Sequence, residues 1–381
     1  MGTVFFDHNS TAALNAEVLK AMLPFMTQQH GNATSRHTFG RTSRAAIEQA
    51  REQVATAVNA HPSQVIFTAS GTEANNFAIS GMVNESIGGQ ILTSAVEHPC
   101  VSGPALAMRS STFQANRIKV DANCKLDLSC LRKLLPTPTQ LVSVMLANNE
   151  TGVIQDIKVI SEIARAHKTY MHTDAVQGLG KISVDFESLN VHAMTISSHK
   201  IGGPLGAGAL VLDKRIDIKP LLHGGGQERG LRSGTENISA IVGFGVACDL
   251  AVENLVHFAQ HTQLLRDYLE AGLIKLKAHL FANHAKRLPN TSFFAFEHID
   301  GETLVMALDR KGFAVASGSA CSSDNGQPSH VLLAMGVNEE LARSAIRVSF
   351  GMSNTIAEVQ QFLDVLQNEL VKLRSLAAMA V

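Results

Sequence analysis

The sequence predicts an α/β protein, a mostly parallel sheet flanked by helices, accompanied by a smaller α+β domain. Three observations carry this. Short β-rich runs alternate with helical patterns from about residue 40 to about residue 250; that strand, helix, strand succession suits a sheet covered on both faces; and after about residue 251 the pattern turns to long helical periodicity. A length of 381 residues fits two domains at roughly 100–200 residues each. We expect a large domain over 16–250 and a small one over 251–381, joined by the N-terminal segment 1–15.

In chain order, "SRAAIEQAREQVATAV" places Ile47, Ala50, Val54 and Val58 on one face of an amphipathic helix. Strands are expected at 64–69, 89–98, 141–148, 169–176, 193–198 and 207–212, with a helix over 157–167 between two of them. A long helical stretch is expected over 251–280, then shorter β-like runs and a C-terminal amphipathic helix from about 355.

Composition narrows the function classes. Hydrophobic residues make up 45% of the chain and charged residues 17%, the profile of a compact globular protein. A net charge of −1 and the lack of a basic stripe argue against direct nucleic-acid binding. The apolar run Val4–Phe6 is too short for a signal peptide, and no apolar stretch approaches the roughly 18 residues of a membrane span. The chain reads as cytoplasmic, with no membrane partner. Five cysteines without a C-x-x-C suggest neither a disulfide framework nor a zinc knuckle.

Ligands of open α/β sheets sit beyond the carboxyl ends of the strands, and chemistry-bearing residues follow several of these strands. Ser70-Gly71-Thr72-Glu73 has capping-box spacing and opens a helix whose N-terminus suits phosphate, although a plain cap is the commoner use of such a sequence. Asp174 and Gln177 follow one strand; Ser197, His199 and Lys200 follow another. Asp174 and Lys200 make either a buried ion pair or the two ends of one ligand site. Pyridoxal phosphate needs a lysine for the Schiff base, a carboxylate for its ring nitrogen and an anion cradle, and this set supplies all three. "QGLGKIS" fails the Walker A spacing, because Ile182 follows Lys181. "GFGVAC" at 243–248 falls in a helical run, and the His257/His261 pair lacks a third ligand, so no metal site is expected. The glycine-rich loop 223–237 carries Arg229 and Arg232 and reads by composition as a surface loop. Cys321, in the small-residue run "ASGSACSS", is the one cysteine set for nucleophilic chemistry.

These motifs together resemble the NifS/IscS-type cysteine desulfurases, class V aminotransferases of the pyridoxal phosphate fold type I. The resemblance rests on "FDHNSTAAL", "GNATSRH", "VIFTASGTEANN", "SAVEHPCV", "ANNETGVIQDI", "HTDAVQGLGK", "SSHKIGGPLGAGAL", "HGGGQERGLRSGTEN", "GETLVMAL", "ASGSACSS" and "SAIRVSFG", which run almost end to end. It implies Lys200 as the Schiff-base lysine and Asp174 as the pyridinium partner. Asn149 and Gln177 would bond the ring oxygen, and His98 would stack on the ring and take part in proton transfer. Gly71, Thr72, Ser197 and His199 would cradle the phosphate, with Thr235 reaching it from the partner subunit of a homodimer. Asn32 and Arg347 would clamp the substrate carboxylate, and Cys321 would form the persulfide. The implied activity converts L-cysteine to L-alanine and passes sulfur to a protein acceptor, an iron-sulfur scaffold or a thiolation enzyme. A selenocysteine lyase or another class V aminotransferase is the alternative, and an idle sulfur-carrier subunit is disfavoured by the intact Lys200 and Asp174. The family's H-K-x-Y-G-P-K-G departs here to His199-Lys200-Ile201-Gly202-Gly203-Pro204-Leu205-Gly206, which lacks the tyrosine and the second lysine.

Overall fold

A computed structural model describes residues 3–318 and 327–379. Cys321 lies outside the described residues. The strands are β1 Val4–Phe5, β2 Val65–Thr68, β3 Gly89–Ser94, β4 Phe113–Ile118, β5 Thr139–Ser143, β6 Tyr170–Asp174, β7 Ala193–Ser197, β8 Gly208–Leu212, β9 His279–Leu280, β10 Thr291–Ala295, β11 Phe313–Ala314, β12 Ala316–Ser317 and β13 Ala345–Ser349.

Seven of them form the main sheet in the order β2-β8-β7-β6-β5-β3-β4. The pairs β3/β4, β3/β5, β5/β6 and β6/β7 are parallel, and β8 runs antiparallel between β2 and β7. Every residue of β2, β7 and β8 is buried, as strands covered on both faces must be. The helix Thr38–Ala57 buries Ile47, Ala50 and Val54, the face read from its periodicity, and it packs on the helix Ile238–Glu253.

Four departures from the sequence reading have local causes. β4 was not anticipated: it is an edge strand with only Phe113 and Ile118 buried, so its sequence carries no apolar run. The strand expected over 141–148 ends at Ser143, although Val144 and Leu146 still donate to His172 and Asp174 across the gap. The strand expected to reach residue 98 ends at Ser94, and His98 instead caps the helix Pro99–Ala107. The helix expected over 251–280 breaks at Asn254, where Ile238–Glu253 and Leu255–Lys275 meet at 70° and the Asn254 amide donates to the Leu250 carbonyl.

A four-stranded antiparallel sheet, β12-β13-β10-β9, backs a second apolar core. Phe6 enters that core from the N-terminal segment, stacked on Phe313 and edge-on to Phe350 and Phe362. The N-terminal segment therefore runs between the two cores.

Candidate active site

The carboxyl ends of β6 and β7 open on a cavity of about 510 Å³. β6 delivers Asp174, whose neighbour across the ladder is Thr195 of β7. The carboxylate is 5% exposed; it accepts from Asn75 Nδ2 at 2.7 Å and from the Val176 N–H at 3.0 Å. Burial raises its pKa against these bonds, so a cationic N–H placed beside it would restore the charged form.

β7 ends at Ser197 and runs into a short 3-10 turn, Ser198–Ile201, that carries His199 and Lys200. Gly202 ends the turn at φ +78°, a conformation that strains any side chain, which suits glycine where the family has tyrosine. Leu205, at the family's second lysine position, is 74% exposed, so that departure touches no buried partner. Lys200 Nζ donates to the carbonyls of Asn9 at 2.7 Å and Ser10 at 2.6 Å. His199 is pushed down to about 4, first by burial and then by Lys200 and Lys181, and its ring meets Thr11 Oγ1 at 3.2 Å.

The anion cradle is present. Ser70 caps the helix Gly71–Gly81 by accepting from the Glu73 N–H at 3.1 Å. Only this half of the capping box forms, because the Glu73 carboxylate turns to Arg232 at 2.7 Å. The Ser197 hydroxyl is buried without a hydrogen-bond partner beside this helix terminus. A Cβ on Gly71 would come within 3.0 Å of Val176 and 3.3 Å of Ser197, so the glycine keeps the cradle open. Thr72 and His199 complete the lining. An orphan hydroxyl at a helix N-terminus at one end and a buried carboxyl at the other fit a phosphorylated pyridine.

The opposite wall comes from elsewhere in the chain. Arg347 of β13 is 5% exposed; it donates through Nη2 to Asp7 at 2.6 Å and through Nη1 to the Asn149 carbonyl at 2.9 Å, while its Nε is buried unpartnered. Asn9 joins the walls. Its amide donates to Thr291 Oγ1 at 2.9 Å and to the Asn149 carbonyl at 3.2 Å, and its Oδ1 accepts from Lys181 at 2.8 Å. Its carbonyl accepts from Gln177 Nε2 at 2.8 Å and from Lys200. Lys181 is fully buried and bonds Gln177 Oε1 at 2.5 Å; burial above all, then Lys200 and Arg347, pulls its pKa well down.

The cavity thus brings together Gly71, Thr72, His98, Asn149, Asp174, Gln177, Ser197, His199, Lys200 and Arg347. Two expected residues lie elsewhere. Asn32 is exposed, its Oδ1 taken by the N–H and hydroxyl of Thr34 in a local turn, so it does not meet Arg347 within this chain. Thr235 is exposed and outside the lining. The two loop arginines are also occupied, Arg232 by Glu73 and Arg229 by the Val65 carbonyl. Sequence reasoning assigned no role to Asn9, Asn75 or Cys100, all of which line the cavity. The available signal was the polar run "NSTA" directly after the β1 segment and the "TEANN" continuation of the cap. No group of three or more metal-ligating side chains occurs among the described residues.

Residues 4–362 match the family model "Aminotransferase class-V". The chain is 40% identical over 377 residues to "Cysteine desulfurase IscS" of Methanosarcina thermophila, covering 98% of this chain and 93% of that one. It is 41% identical over 378 residues to "Cysteine desulfurase IscS" of Dictyoglomus turgidum, with coverages of 98% and 96%. Among solved structures, a "NIFS-LIKE PROTEIN" superposes with a TM-score of 0.92 at 37% identity, over 97% of this chain and 100% of that one. The NifS-like protein of Rickettsia africae does so with a TM-score of 0.88 at 34% identity, over 96% and 99%.

Proposed function

Since the chain belongs to the aminotransferase class-V family, we propose that it is a pyridoxal phosphate-dependent cysteine desulfurase, turning L-cysteine into L-alanine with the sulfur retained as a persulfide on Cys321. The observation that carries this reading is the placement of Asp174 and Lys200 at the ends of neighbouring parallel strands, facing one cavity with an orphan cradle hydroxyl.

When bound, pyridoxal phosphate supplies an electron sink for the pair left at the substrate's Cα. Ser197, Thr72, His199 and the helix N-terminus at Gly71 would hold the phosphate. Asp174 would hold the ring nitrogen protonated, and Asn149 and Gln177 would bond the ring oxygen. Lys200 would anchor the cofactor through Nζ and, with its amine free, would take the Cα proton there. Arg347 holds the substrate carboxylate, a planar bidentate task suited to guanidinium. His98 would shuttle the proton to the carbon that loses the sulfur. The Cys321 thiolate attacks the substrate sulfur; the S–S bond forms as the C–S bond breaks, Cβ takes up a proton in the sulfur's place and Cα takes back the proton held on Lys200, giving alanine. Cysteine plus thiol becomes alanine plus persulfide, with no outside oxidant.

The same proposal includes the division into a cofactor-holding domain over 16–250 and a small domain over 251–381 with 1–15, supported by the Phe6 contacts in the second core. It includes a homodimer in which exposed Thr235 reaches the neighbouring protomer's phosphate and Asn32 acts near the carboxylate. It places the protein in the cytoplasm, delivering sulfur to an iron-sulfur scaffold or thiolation enzyme. No single helix among the described residues is long and apolar enough to cross a membrane. The test is direct: purified protein should carry the cofactor's visible absorption band, and L-cysteine should change it and yield alanine one for one with persulfide or, under added thiol reductant, sulfide. A colourless protein that makes no alanine would refute the assignment.

A further inference from the structure

A second cysteine bears on the site, in an inference that rests on the reading above. Cys100 lines the cavity two residues after His98. Its N–H donates to His98 Nδ1 at 3.2 Å, and its Sγ lies 2.8 Å from the same nitrogen. Nδ1 is thus the accepting nitrogen, and a neutral ring carries its proton on Nε2, which has no hydrogen-bond partner among the described residues. On its other side Sγ accepts from Asn75 Nδ2 at 3.0 Å, and that amide also donates to Asp174 Oδ2 at 2.7 Å. The two amide protons serve the two acceptors. An unbroken chain of contacts therefore joins Asp174 to His98.

We propose that Cys100 is a positioning residue, a protonated thiol that with Asn75 links the Asp174 carboxylate to the His98 ring and holds that ring neutral with its proton on Nε2. Burial, then Asp174, pushes the Cys100 thiol up to about 12, which suits a donor and not a nucleophile. The charged and titratable groups facing His98 are Asp174, Lys200 and His330 besides Cys100, and burial above all keeps the ring below its ordinary pKa. Glu97, next in sequence, is occupied by Ser94 and the Met145 N–H. The thiol donor competes with a proton at Nδ1, so its removal should make His98 easier to protonate.

The test uses pyridoxal phosphate-loaded protein with ¹⁵N-labelled histidine, the His98 signals identified by their loss in His98→Gln. Wild type should show the Nε2–H tautomer and protonate well below the ordinary imidazole range. In Cys100→Ala the midpoint should move up, and kcat should fall about 3–10-fold, the worth of one hydrogen bond, with KM for L-cysteine unchanged. Cys100→Ser should restore both, since a hydroxyl donates and accepts as the thiol does. An unmoved His98 midpoint in Cys100→Ala overturns the proposal, as does a serine variant that matches alanine in both readouts. Rapid alkylation of Cys100 by iodoacetamide at neutral pH would also overturn it, by showing a thiolate. Failure to take up pyridoxal phosphate would instead sink the functional reading, and the ring titration could still be followed in that protein.

Discussion

The two walls of the cavity are made in different ways. On one side, Asp174 and Ser197 end strands paired in the main sheet, and Lys200 follows within one turn. On the other, Arg347 comes from the small sheet and is steadied by Asp7, a residue 340 positions away in the chain. The first wall needs only its own core to be in place. The second needs both cores and the N-terminal segment between them, so its precision depends on long-range polar contacts centred on Asn9.

The largest effects should follow from breaking the first wall. Lys200→Ala should lower alanine formation by about 10³-fold or more and abolish borohydride trapping of the cofactor on the chain, because the variant removes both the proposed anchor and the proposed proton acceptor. A trapped adduct in that variant would place the anchor on another lysine. Asp174→Asn should cost about 10²-fold in kcat while the protein still binds cofactor, measured by absorbance and turnover, since an amide cannot hold the ring nitrogen protonated.

The second wall should fail differently. Arg347→Ala should raise KM for L-cysteine about 10–100-fold, with a smaller loss in kcat, as expected when a bidentate carboxylate partner is removed. Asn9→Ala takes one side-chain hydrogen bond from each of Lys181, Thr291 and Asn290 and should cost about 2–4 kcal/mol in denaturant unfolding. Full stability in Asn9→Ala would remove the case for a pinned second wall.

This asymmetry explains what could be read from the sequence. Asp174, Lys200 and the Ser70 cap were legible because each stands where a buried apolar strand gives way to polar residues, a strictly local signal. Asn9 and Asn75 were not, because their partners lie far off in the chain, 282 residues away for Thr291 and 99 for Asp174. Cys100 read as one more small buried residue because its bond to Asn75, 25 residues away, exists only once the helix Pro99–Ala107 packs on Gly71–Gly81. Asn32 belongs to the carboxylate clamp by resemblance alone, and within one chain its Oδ1 accepts from Thr34 while its side chain stays outside the cavity. The fold class was legible throughout the main sheet except at the half-exposed edge strand β4.

The smallest effect sharpens the comparison near the first wall. Glu97 is fully buried, and burial, its largest cause, pushes it up to about 8. A carboxyl whose folded pKa exceeds its unfolded value holds more protons when folded, so its contribution is present below the unfolded pKa and lost as pH rises toward 8. Glu97→Gln, which mimics the neutral form, should therefore flatten the fall in Tm between about pH 5 and pH 8. An unchanged pH profile would mean that the carboxyl ionises without cost.

The central claim is that the cavity hands the substrate's sulfur to Cys321 and not to the cysteine already lining it. Mass spectrometry of peptides from loaded protein incubated with L-cysteine alone tests this most directly. The account predicts one added sulfur on the peptide containing Cys321, none on the peptide containing Cys100, and loss of the signal in Cys321→Ser while the cofactor band still responds to L-cysteine. Sulfur found on Cys100, or alanine formed at full rate by Cys321→Ser, would contradict it.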